Sequence, residues 1–448
     1  MAKEKAIYIC ANCGYKTSKW MGKCPECETW SSLVETTERP LSGKSSARGA
    51  LPVEPVSIEM VKCDENDRIY TGIGEFDRVL SGVVAGQAVL LSGEPGIGKS
   101  TLLLQAGSSF ARNYRVFYIN GEESSAQIKI RANRLGLNSS NLFLLNQNRI
   151  EALIDAIGTQ KPDIIFVDSI QTLYSEKYDS LAGSVVQVRE TTFELVNLCK
   201  SMDIPLFLVS HITKEGNIAG PKVVEHIVDT VLFLETDNRG YYRILRSLKN
   251  RFASTEEIGF FKMDMAGLVG VDDITNAFMM VHEEETSGIA VYPFLEGNRA
   301  FPVEVQALCA PTQFNIPRRT ADGMELNRLS MLIAIMEKKL KFNLSSHDIY
   351  VNITGGLKIN DPALDLAVVL AIFSSFKNKP VAMDTICAGE VGLTGEVRPV
   401  FGMQRRIAEM ERMGFARAVF PFKTDNVKTD GKIKLLPVKN ISEGAGVL

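Results

Sequence analysis

Gly93-Glu94-Pro95-Gly96-Ile97-Gly98-Lys99-Ser100 matches the pattern G-x-x-x-x-G-K-[ST], and Thr101 follows it directly. The apolar run Ala88–Leu91 before it predicts a buried strand, and residues Ser100–Phe110 after it have a helical pattern. Glycines in such a loop let backbone N–H groups turn toward phosphate oxygens, and the following helix presents its positive end to the same anion. The stretch therefore predicts a strand, a phosphate-binding loop and a helix.

Two side chains of this loop, Lys99 and Ser100, have expected roles. We expect Lys99 to contact the β- and γ-phosphates of ATP and the Ser100 hydroxyl to bind Mg²⁺. A glycine-rich turn that matches the pattern by chance is the alternative, and the strand and helix on either side disfavour it. The predicted ATP-binding residues are Gly93, Glu94, Pro95, Gly96, Ile97, Gly98, Lys99, Ser100 and Thr101.

Length and composition set broad limits on the protein. The 448 residues are enough for two or three domains. The formal net charge of −3 gives no whole-chain footprint for nucleic acid, so any such binding must use a local basic surface. We find no apolar run long enough to cross a bilayer and no signal-peptide core after Met1–Lys5, so we expect a cytoplasmic protein without a membrane partner.

Four of the eight cysteines form two C-x-x-C knuckles near the amino terminus, at Cys10, Cys13, Cys24 and Cys27. Four thiolates with this spacing can bind Zn²⁺ tetrahedrally, and the metal would supply the folding energy that so short a segment lacks. Two disulfides or an iron–sulfur cluster are the alternatives, although no secretory context supports disulfides. We predict a zinc finger over residues 1–35 and a flexible linker, rich in Ser, Pro, Gly and charge, over residues 36–60.

The role of this finger stays open at the level of sequence. Its tryptophans and lysines would contact nucleic acid or a protein partner, or the tryptophans would simply pack the knuckles; these residues are Trp20, Trp30, Lys16, Lys19 and Lys23.

From residue 61 to residue 285, short apolar strands alternate with helical patterns, which is typical of a parallel sheet flanked by helices. The predicted strands Val116–Ile119, Ile164–Asp168 and Pro205–His211 each lead into polar residues. Ligands of such sheets bind at the carboxyl ends of the strands, so Glu122, Asp168 and His211 should converge near the phosphates. Asp168 is then the acid expected to hold Mg²⁺, and Glu122 or Glu123 the base that orients the attacking water. Any one of these acids alone could equally be a solvated strand end.

This region resembles the RecA-type ATPases, and more closely the bacterial RadA/Sms recombination and repair family. The resemblance rests on Thr71–Leu80 with Gly86, which lead to the phosphate loop, and on Lys249-Asn250-Arg251-Phe252. The family usually has Gly after this last motif, where the chain has Ala253. The similarity covers the whole chain, including the four cysteines.

The resemblance implies roles that the residues alone do not give. Related motors hydrolyse ATP between the subunits of a ring, so Lys249 and Arg251 are expected to be catalytic cations that act on a neighbour's γ-phosphate. His211 matches a sensor position, and Lys214 and Lys222 are the expected DNA contacts in the loop that follows, although an ordinary surface loop is the alternative. The implied cofactors are ATP, Mg²⁺ and Zn²⁺. The implied partners are single-stranded and branched DNA, the RecA recombinase and further copies of the chain, as a hexameric ring associated with the nucleoid.

Residues 286–448 resemble the proteolytic domain of Lon, through Gly389-Glu390-Val391 and Gly395–Val400. Lon proteases cleave with a Ser nucleophile activated by a Lys, and the matching positions here hold Ala363 and Gln404. A methyl group cannot attack a carbonyl and an amide cannot act as the base, so we predict no peptidase activity.

The expected function is therefore a DNA-dependent ATPase, of helicase type, that drives branch migration of RecA-made intermediates in DNA repair. An ATP-dependent Lon-type protease and a nucleotide-gated recruitment switch without motor activity are the alternatives. A circadian-clock-type kinase of the same superfamily is disfavoured by the four cysteines and by Lys249–Phe252.

Overall fold

The computed structural model describes residues 6–10, 16–25, 30, 33–37, 57, 68–210, 221–237, 240–271, 279, 286–314, 316–424 and 427–447. The chain divides into two compact units. The first comprises Met1–Glu235, Leu245–Thr255 and Met263–Val269, and the second comprises Thr236–Ile244, Glu256–Lys262 and Gly270–Leu448. Most of the predicted linker lies outside the described residues, and the domain boundaries at residues 36, 61 and 286 stay predictions. Within the described part of the chain, no helix is both long and apolar enough to cross a lipid bilayer.

The amino-terminal segment forms a small antiparallel sheet. Its strands are β1 (Ala6–Cys10), β2 (Lys16–Thr17) and β3 (Leu33–Thr37), in the order β2-β1-β3. Cys10 and Cys24 are completely buried beside Leu33.

A large, mainly parallel sheet flanked by helices forms between residues 88 and 270, which confirms the predicted α/β class. The strands are β4 (Ala88–Gly93), β5 (Val116–Asn120), β6 (Leu142–Leu145), β7 (Ile164–Asp168), β8 (Leu206–Val209), β9 (Thr230–Thr236), β10 (Tyr242–Asn250), β11 (Ile258–Asp264) and β12 (Gly267–Gly270). Their order is β12-β11-β10-β9-β4-β8-β7-β5-β6, and β9, β4, β8, β7, β5 and β6 pair in parallel. The α-helices are α1 (Gly74–Leu80), α2 (Lys99–Phe110), α3 (Ser125–Arg134), α4 (Ile150–Gln160), α5 (Val185–Ser201) and α6 (Pro221–Glu225).

The central strands β4, β5, β7 and β8 are buried along their whole length, as strands are when helices cover both faces of a sheet. The stacked rings of Phe166 and Phe207, with centroids 4.7 Å apart, lie on one face together with Phe110 of α2. The strand predicted over Pro205–His211 is shorter in the structure, because its regular pairing covers only Leu206–Val209.

The parallel arrangement gives this sheet two chemically different edges. At the carboxyl edge, β4 ends at Gly93 and β7 ends at Asp168. At the amino edge, Ala88 begins β4 and lies beside Asp229, which precedes β9. The five residue steps of β4 separate the two edges by about 17 Å.

The second unit contains a mixed seven-stranded sheet. Its elements are β13 (Ile289–Glu296), β14 (Arg299–Pro311), β15 (Arg319–Asp322), α7 (Leu326–Leu340), β16 (His347–Ile353), α8 (Asp365–Lys377), β17 (Thr385–Cys387), β18 (Glu390–Val391), β19 (Val397–Arg398), α9 (Met403–Arg412), β20 (Arg417–Pro421), β21 (Lys434–Val438) and α10 (Ile441–Gly446). The sheet order is β15-β16-β14-β13-β17-β20-β21, and β18 pairs with β19 separately.

Asp361 and Pro362 lead into a helical segment of the second unit. The Asp361 carboxylate accepts a hydrogen bond from the Ala363 N–H at 3.0 Å, as an N-cap does. It caps a single 3₁₀ turn, Pro362–Leu364, and the α-helix begins only at Asp365. Such tight turns are common at helix starts, and this one brings Ala363 into the core.

Candidate ATP site and its distant cations

The phosphate loop follows a path that requires glycine. At Gly93, φ is +150°, and a Cβ would lie 2.2 Å from the carbonyl oxygen of Leu234 on β9. Gly96 has φ of +75°, in the left-handed region that other residues rarely adopt. Gly98 precedes α2 and offers no side-chain cap, so the first N–H groups of the helix remain directed at the loop. Backbone donors and a helix amino terminus therefore meet at one place, as an anion site requires.

Lys99 lies buried at the centre of this loop. Its Nζ donates hydrogen bonds to the carbonyl oxygens of Gly93 and Glu94, each at 2.8 Å. Burial lowers the pKa of Lys99 to about 8, and the negative charges of Asp168 and Glu122 oppose this shift. The ammonium group is thus within the field of both acids. Phosphate oxygens, which are stronger acceptors than neutral carbonyls, can take over its hydrogen bonds.

The two candidate bases have different environments. Glu122 is exposed, and its Oε1 accepts a 2.5 Å hydrogen bond from the hydroxyl of Ser169. Glu123 forms an ion pair with Arg131 of α3. Glu122 lies within the field of Lys99 beside the phosphate loop, which makes it the better candidate for orienting water.

Asp168 ends β7 at the same edge and is almost completely buried. Its Oδ2 accepts a 2.8 Å hydrogen bond from the hydroxyl of Tyr118, and burial beside this carboxylate raises the pKa of Tyr118 well above its usual value. Tyr118 therefore stays a neutral donor that fixes the carboxylate. A carboxylate and the hydroxyl of Ser100, in the first turn of α2, are hard oxygen ligands of the kind that Mg²⁺ prefers, so these residues fit that ion.

Lys249 and Arg251 lie at the opposite, amino edge of the sheet. Lys249 Nζ donates to the carbonyl oxygens of Glu225 and Val228, each at 2.7 Å, and burial together with the charge of Arg251 lowers its pKa. Arg251 is about half exposed and forms an ion pair with Asp229 at 3.3 Å. A strand length of about 17 Å separates this edge from the phosphate loop of the same chain. Neither side chain can extend that far, so one chain does not bring these cations to its own loop.

The segment that carries Lys249 and Arg251 contains a turn formed by Asn250. The Asn250 Oδ1 accepts hydrogen bonds from the N–H groups of Phe252 and Ala253 at 3.0 and 3.2 Å. Among the described non-glycine residues with positive φ, Ala253 is absent. The turn therefore needs no left-handed residue at this position, which explains why Ala can stand where glycine is usual.

Three family models match the chain. A rubredoxin metal binding domain matches residues 8–35, an AAA domain residues 61–217, and the ChlI subunit of Mg-chelatase residues 326–424. The chain is 43% identical to the DNA repair protein RadA of Aquifex aeolicus (strain VF5) over the full length of both proteins. It is 43% identical to the protein of the same name from Bacillus subtilis (strain 168), covering 99% of this chain and 98% of that protein. The RadA of Campylobacter jejuni is 46% identical over 94% of this chain and 95% of its own length.

The chain belongs to the RadA family of DNA repair proteins. The predicted family is thereby confirmed, as are its RecA-like ATP-binding core, its amino-terminal zinc ribbon and its carboxy-terminal ChlI/Lon-like region. The AAA domain match covers the phosphate loop and both candidate bases, but ends before Lys249 and Arg251.

Several predicted site residues of this RadA family member fall outside the described residues. These are His211 and Lys214, together with Cys13 and Cys27; Lys222 belongs to α6, but its side chain is not described. Their roles stay predictions. Of the four predicted metal ligands, Cys10 and Cys24 are described, and both are buried in the same small core, as two ligands of one metal would be.

The RadA family's Lon-like region has packing contacts where Lon has its catalytic pair. Ala363 is completely buried, and the Gln404 amide exchanges two hydrogen bonds, at 2.7 and 2.6 Å, with the backbone of Lys428. Nearby, Arg406 is buried against Asp361, the hydroxyl of Tyr292 and the carbonyl oxygen of Pro293.

A cleft of about 270 Å³ opens beside this cluster, and two of its polar lining residues, Arg328 and Asp365, pair with each other. Asp365 there accepts from Arg328 Nε at 2.9 Å and from the Val391 N–H at 3.0 Å.

Sequence reasoning missed three residues of the ATPase unit: Tyr118, Ser169 and Asp229. Ser169 directly follows Asp168, so its proximity to the site could have been inferred from the sequence. Tyr118 and Asp229 owe their contacts to the register between strands, for which the sequence holds no local signal.

Proposed function

We propose that this chain is a DNA-dependent ATPase that works as a ring-shaped, hexameric motor and completes each ATP site with cations from the adjacent subunit. The observation that carries the proposal is the separation of Lys249 and Arg251 from the phosphate loop of their own chain. In a head-to-tail ring, the amino edge of one sheet can face the carboxyl edge of the next. The pair would then reach a neighbour's γ-phosphate.

Each residue of one site has a part in the proposed reaction. The loop N–H groups and Lys99 hold the phosphates, with Lys99 exchanging its two carbonyl contacts for phosphate oxygens. Ser100 and Asp168 would hold Mg²⁺, which supplies charge neutralisation between the β- and γ-phosphates. Glu122, oriented by the hydroxyl of Ser169, accepts a hydrogen bond from the water that attacks the γ-phosphorus.

Charge at the γ-phosphate is the reason for a second subunit. The transferring phosphoryl group spreads negative charge over its oxygens, and cations placed there accelerate turnover strongly. Lys249 and Arg251 would supply that charge only when the ring is assembled. Hydrolysis in one subunit would therefore depend on the position of the next, as a motor requires.

The partners of this motor belong to the same proposal. Single-stranded and branched DNA, including the branch-migrating intermediates made by the RecA recombinase, are the substrates that fit a DNA repair protein with an ATPase core. Lys214 and Lys222 would contact DNA phosphates and His211 would sense the γ-phosphate. Cys10, Cys13, Cys24 and Cys27 would hold Zn²⁺, and the protein would work at the nucleoid.

A mixing experiment tests the shared site. Lys99→Ala destroys the phosphate loop but leaves the cations, whereas Lys249→Ala leaves the loop and removes one of the two cations. Each variant alone should hydrolyse almost no ATP, and an equimolar mixture should recover about one quarter of the wild-type rate by random assembly of a ring. A mixture as inactive as its components, with Lys249→Ala still binding a fluorescent ATP analogue, would rule out a shared site.

DNA stimulation separates a motor from a recruitment switch. A motor should hydrolyse ATP faster when single-stranded DNA is added and should unwind or migrate a branched substrate. A switch would show the same slow rate with and without DNA.

The protease alternative has little support, because Ala363 and Gln404 are held by packing and backbone contacts. Steady ATP-dependent cleavage of casein that disappears when one serine is replaced would reverse this conclusion.

A further inference from the structure

We propose that Asp229 is the positioning residue for Arg251, and that it fixes this cation relative to the strand that carries the phosphate loop. This inference rests on the proposed sharing of ATP sites between subunits. Asp229 belongs to none of the motifs that the sequence presents, and it directly precedes β9 at the amino edge of the sheet.

Asp229 is a buried carboxylate with contacts on three sides. Its Oδ2 accepts a 3.1 Å hydrogen bond from the N–H of Ala88, and its own N–H donates to the carbonyl oxygen of Ala88 at 3.0 Å. Its Oδ1 pairs with Lys200 of α5 at 2.8 Å and with Arg251 at 3.3 Å. Only 2% of Asp229 is exposed, so its charge depends on these partners.

The Asp229 carboxylate contacts Arg251 through one nitrogen of the guanidinium. Arg251 reaches Asp229 through Nη1, and about half of the side chain is exposed. A guanidinium carries five N–H donors in a planar fork, so most of its donors remain available to a phosphate. The backbone N–H of Arg251 also donates to the carbonyl oxygen of Asp229 at 3.3 Å. Asp229 therefore fixes both the backbone and the head group of Arg251.

The same carboxylate connects this cation to the phosphate loop of its own chain. Ala88 is the first residue of β4, and Gly93, at the other end of that strand, begins the loop. The six residues of β4 thus connect the phosphate loop, at the carboxyl end, to Asp229, which supports Arg251, at the amino end. Asp229 is the side chain through which the position of β4 sets the position of Arg251.

Asp229→Asn is the variant that tests this role. The Asn oxygen can still accept from the Ala88 N–H, so β4 keeps its anchor, whereas the negative charge that holds Arg251 and Lys200 is lost. We expect kcat for ATP to fall about 10- to 100-fold, the range for a misplaced reacting group, with the KM for ATP changed by less than about twofold. The matched control is Asp163→Asn, an exposed carboxylate at the same edge that accepts from the backbone N–H of Arg115 and should leave kcat unchanged.

Mixing Asp229→Asn with other variants distinguishes a positioning role of Asp229 from a purely structural one. Asp229→Asn subunits keep an intact phosphate loop and Lys99→Ala subunits keep intact cations, so their mixture should regain activity. A mixture of Asp229→Asn with Lys249→Ala should show no gain over the separate variants, because in both the cations Lys249 and Arg251 are incomplete or misplaced.

Three results would overturn the inference. One is an unchanged or raised kcat in Asp229→Asn, which would mean that the carboxylate restrains Arg251 rather than positioning it. Another is that Asp229→Asn mixed with Lys99→Ala hydrolyses no more ATP than the separate variants, although Lys249→Ala mixed with Lys99→Ala is active. The defect of Asp229→Asn would then lie in the phosphate loop of its own chain. The third is an inactive mixture of Lys249→Ala with Lys99→Ala, which removes the shared site itself and the role of Asp229 with it.

Discussion

The ATPase unit and the Lon-like region both bury a cation near acids, and they use it differently. Lys99 has two neutral carbonyl oxygens as partners, which phosphate oxygens can replace. Arg406 is closed in by Asp361, Tyr292 and a backbone carbonyl oxygen. A buried cation whose partners can be exchanged is available for a ligand, whereas a buried cation paired with a carboxylate holds the fold together.

The largest expected effect is that of Lys99→Ala. Loss of the ammonium should reduce ATP hydrolysis about a thousandfold or more, because this group faces the phosphates during the reaction. Phosphate release measures the effect, and Lys129→Ala, which removes an exposed lysine on α3, is the matched control. Undiminished hydrolysis by Lys99→Ala would show that the loop is not the ATP site.

Next in size is the effect of Glu122→Gln. An amide cannot accept the proton of the attacking water, so kcat should fall about 100-fold while ATP binding is retained. Glu123→Gln should have a smaller effect, since Glu123 is paired with Arg131. Single-turnover kinetics of both variants would decide the assignment, and a greater loss in Glu123→Gln would reverse it.

In the Lon-like region, Asp361→Ala should lower stability and leave ATP chemistry intact. The change leaves Arg406 buried without its carboxylate, which should cost about 3 kcal/mol of local unfolding free energy. Hydrogen exchange of the amides of α8 measures this loss. Asp384→Ala, which breaks the exposed pair with Arg417, is the control and should change exchange far less. Equal exchange in the two variants would contradict a structural role for Arg406.

The smallest expected effect is the pH dependence of ATP binding. Burial holds the pKa of Lys99 near 8 in the ligand-free chain, and bound phosphate favours the ammonium form and so raises that pKa. Affinity should therefore be fully present below about pH 8 and fall as pH rises, by about fivefold between pH 8 and pH 9. Titration calorimetry measures this fall. Lys99→Arg keeps its charge and should give a flat profile, and a flat wild-type profile would contradict the assigned cause.

The sequence predicts the features that local pattern determines. The phosphate loop, its strand and helix, and the acid at the end of β7 all follow from spacing and apolar periodicity, because parallel strands bring their carboxyl ends together. Contacts made across strands do not follow in this way. Asp229 lies 141 residues from its partner Ala88, and the bond between Tyr118 and Asp168 depends on the register of β5 and β7. Only the folded structure shows that Lys249 and Arg251 lie at the amino edge of the sheet, away from the phosphate loop of their own chain.

The most direct test of the account is the rate of ATP hydrolysis per subunit as the protein is diluted, with and without single-stranded DNA. If each site needs cations from the next subunit, the specific rate should collapse below the assembly concentration and recover when DNA reassembles the ring. A rate per subunit that stays at its full value at every dilution, with DNA making no difference, would contradict the shared site.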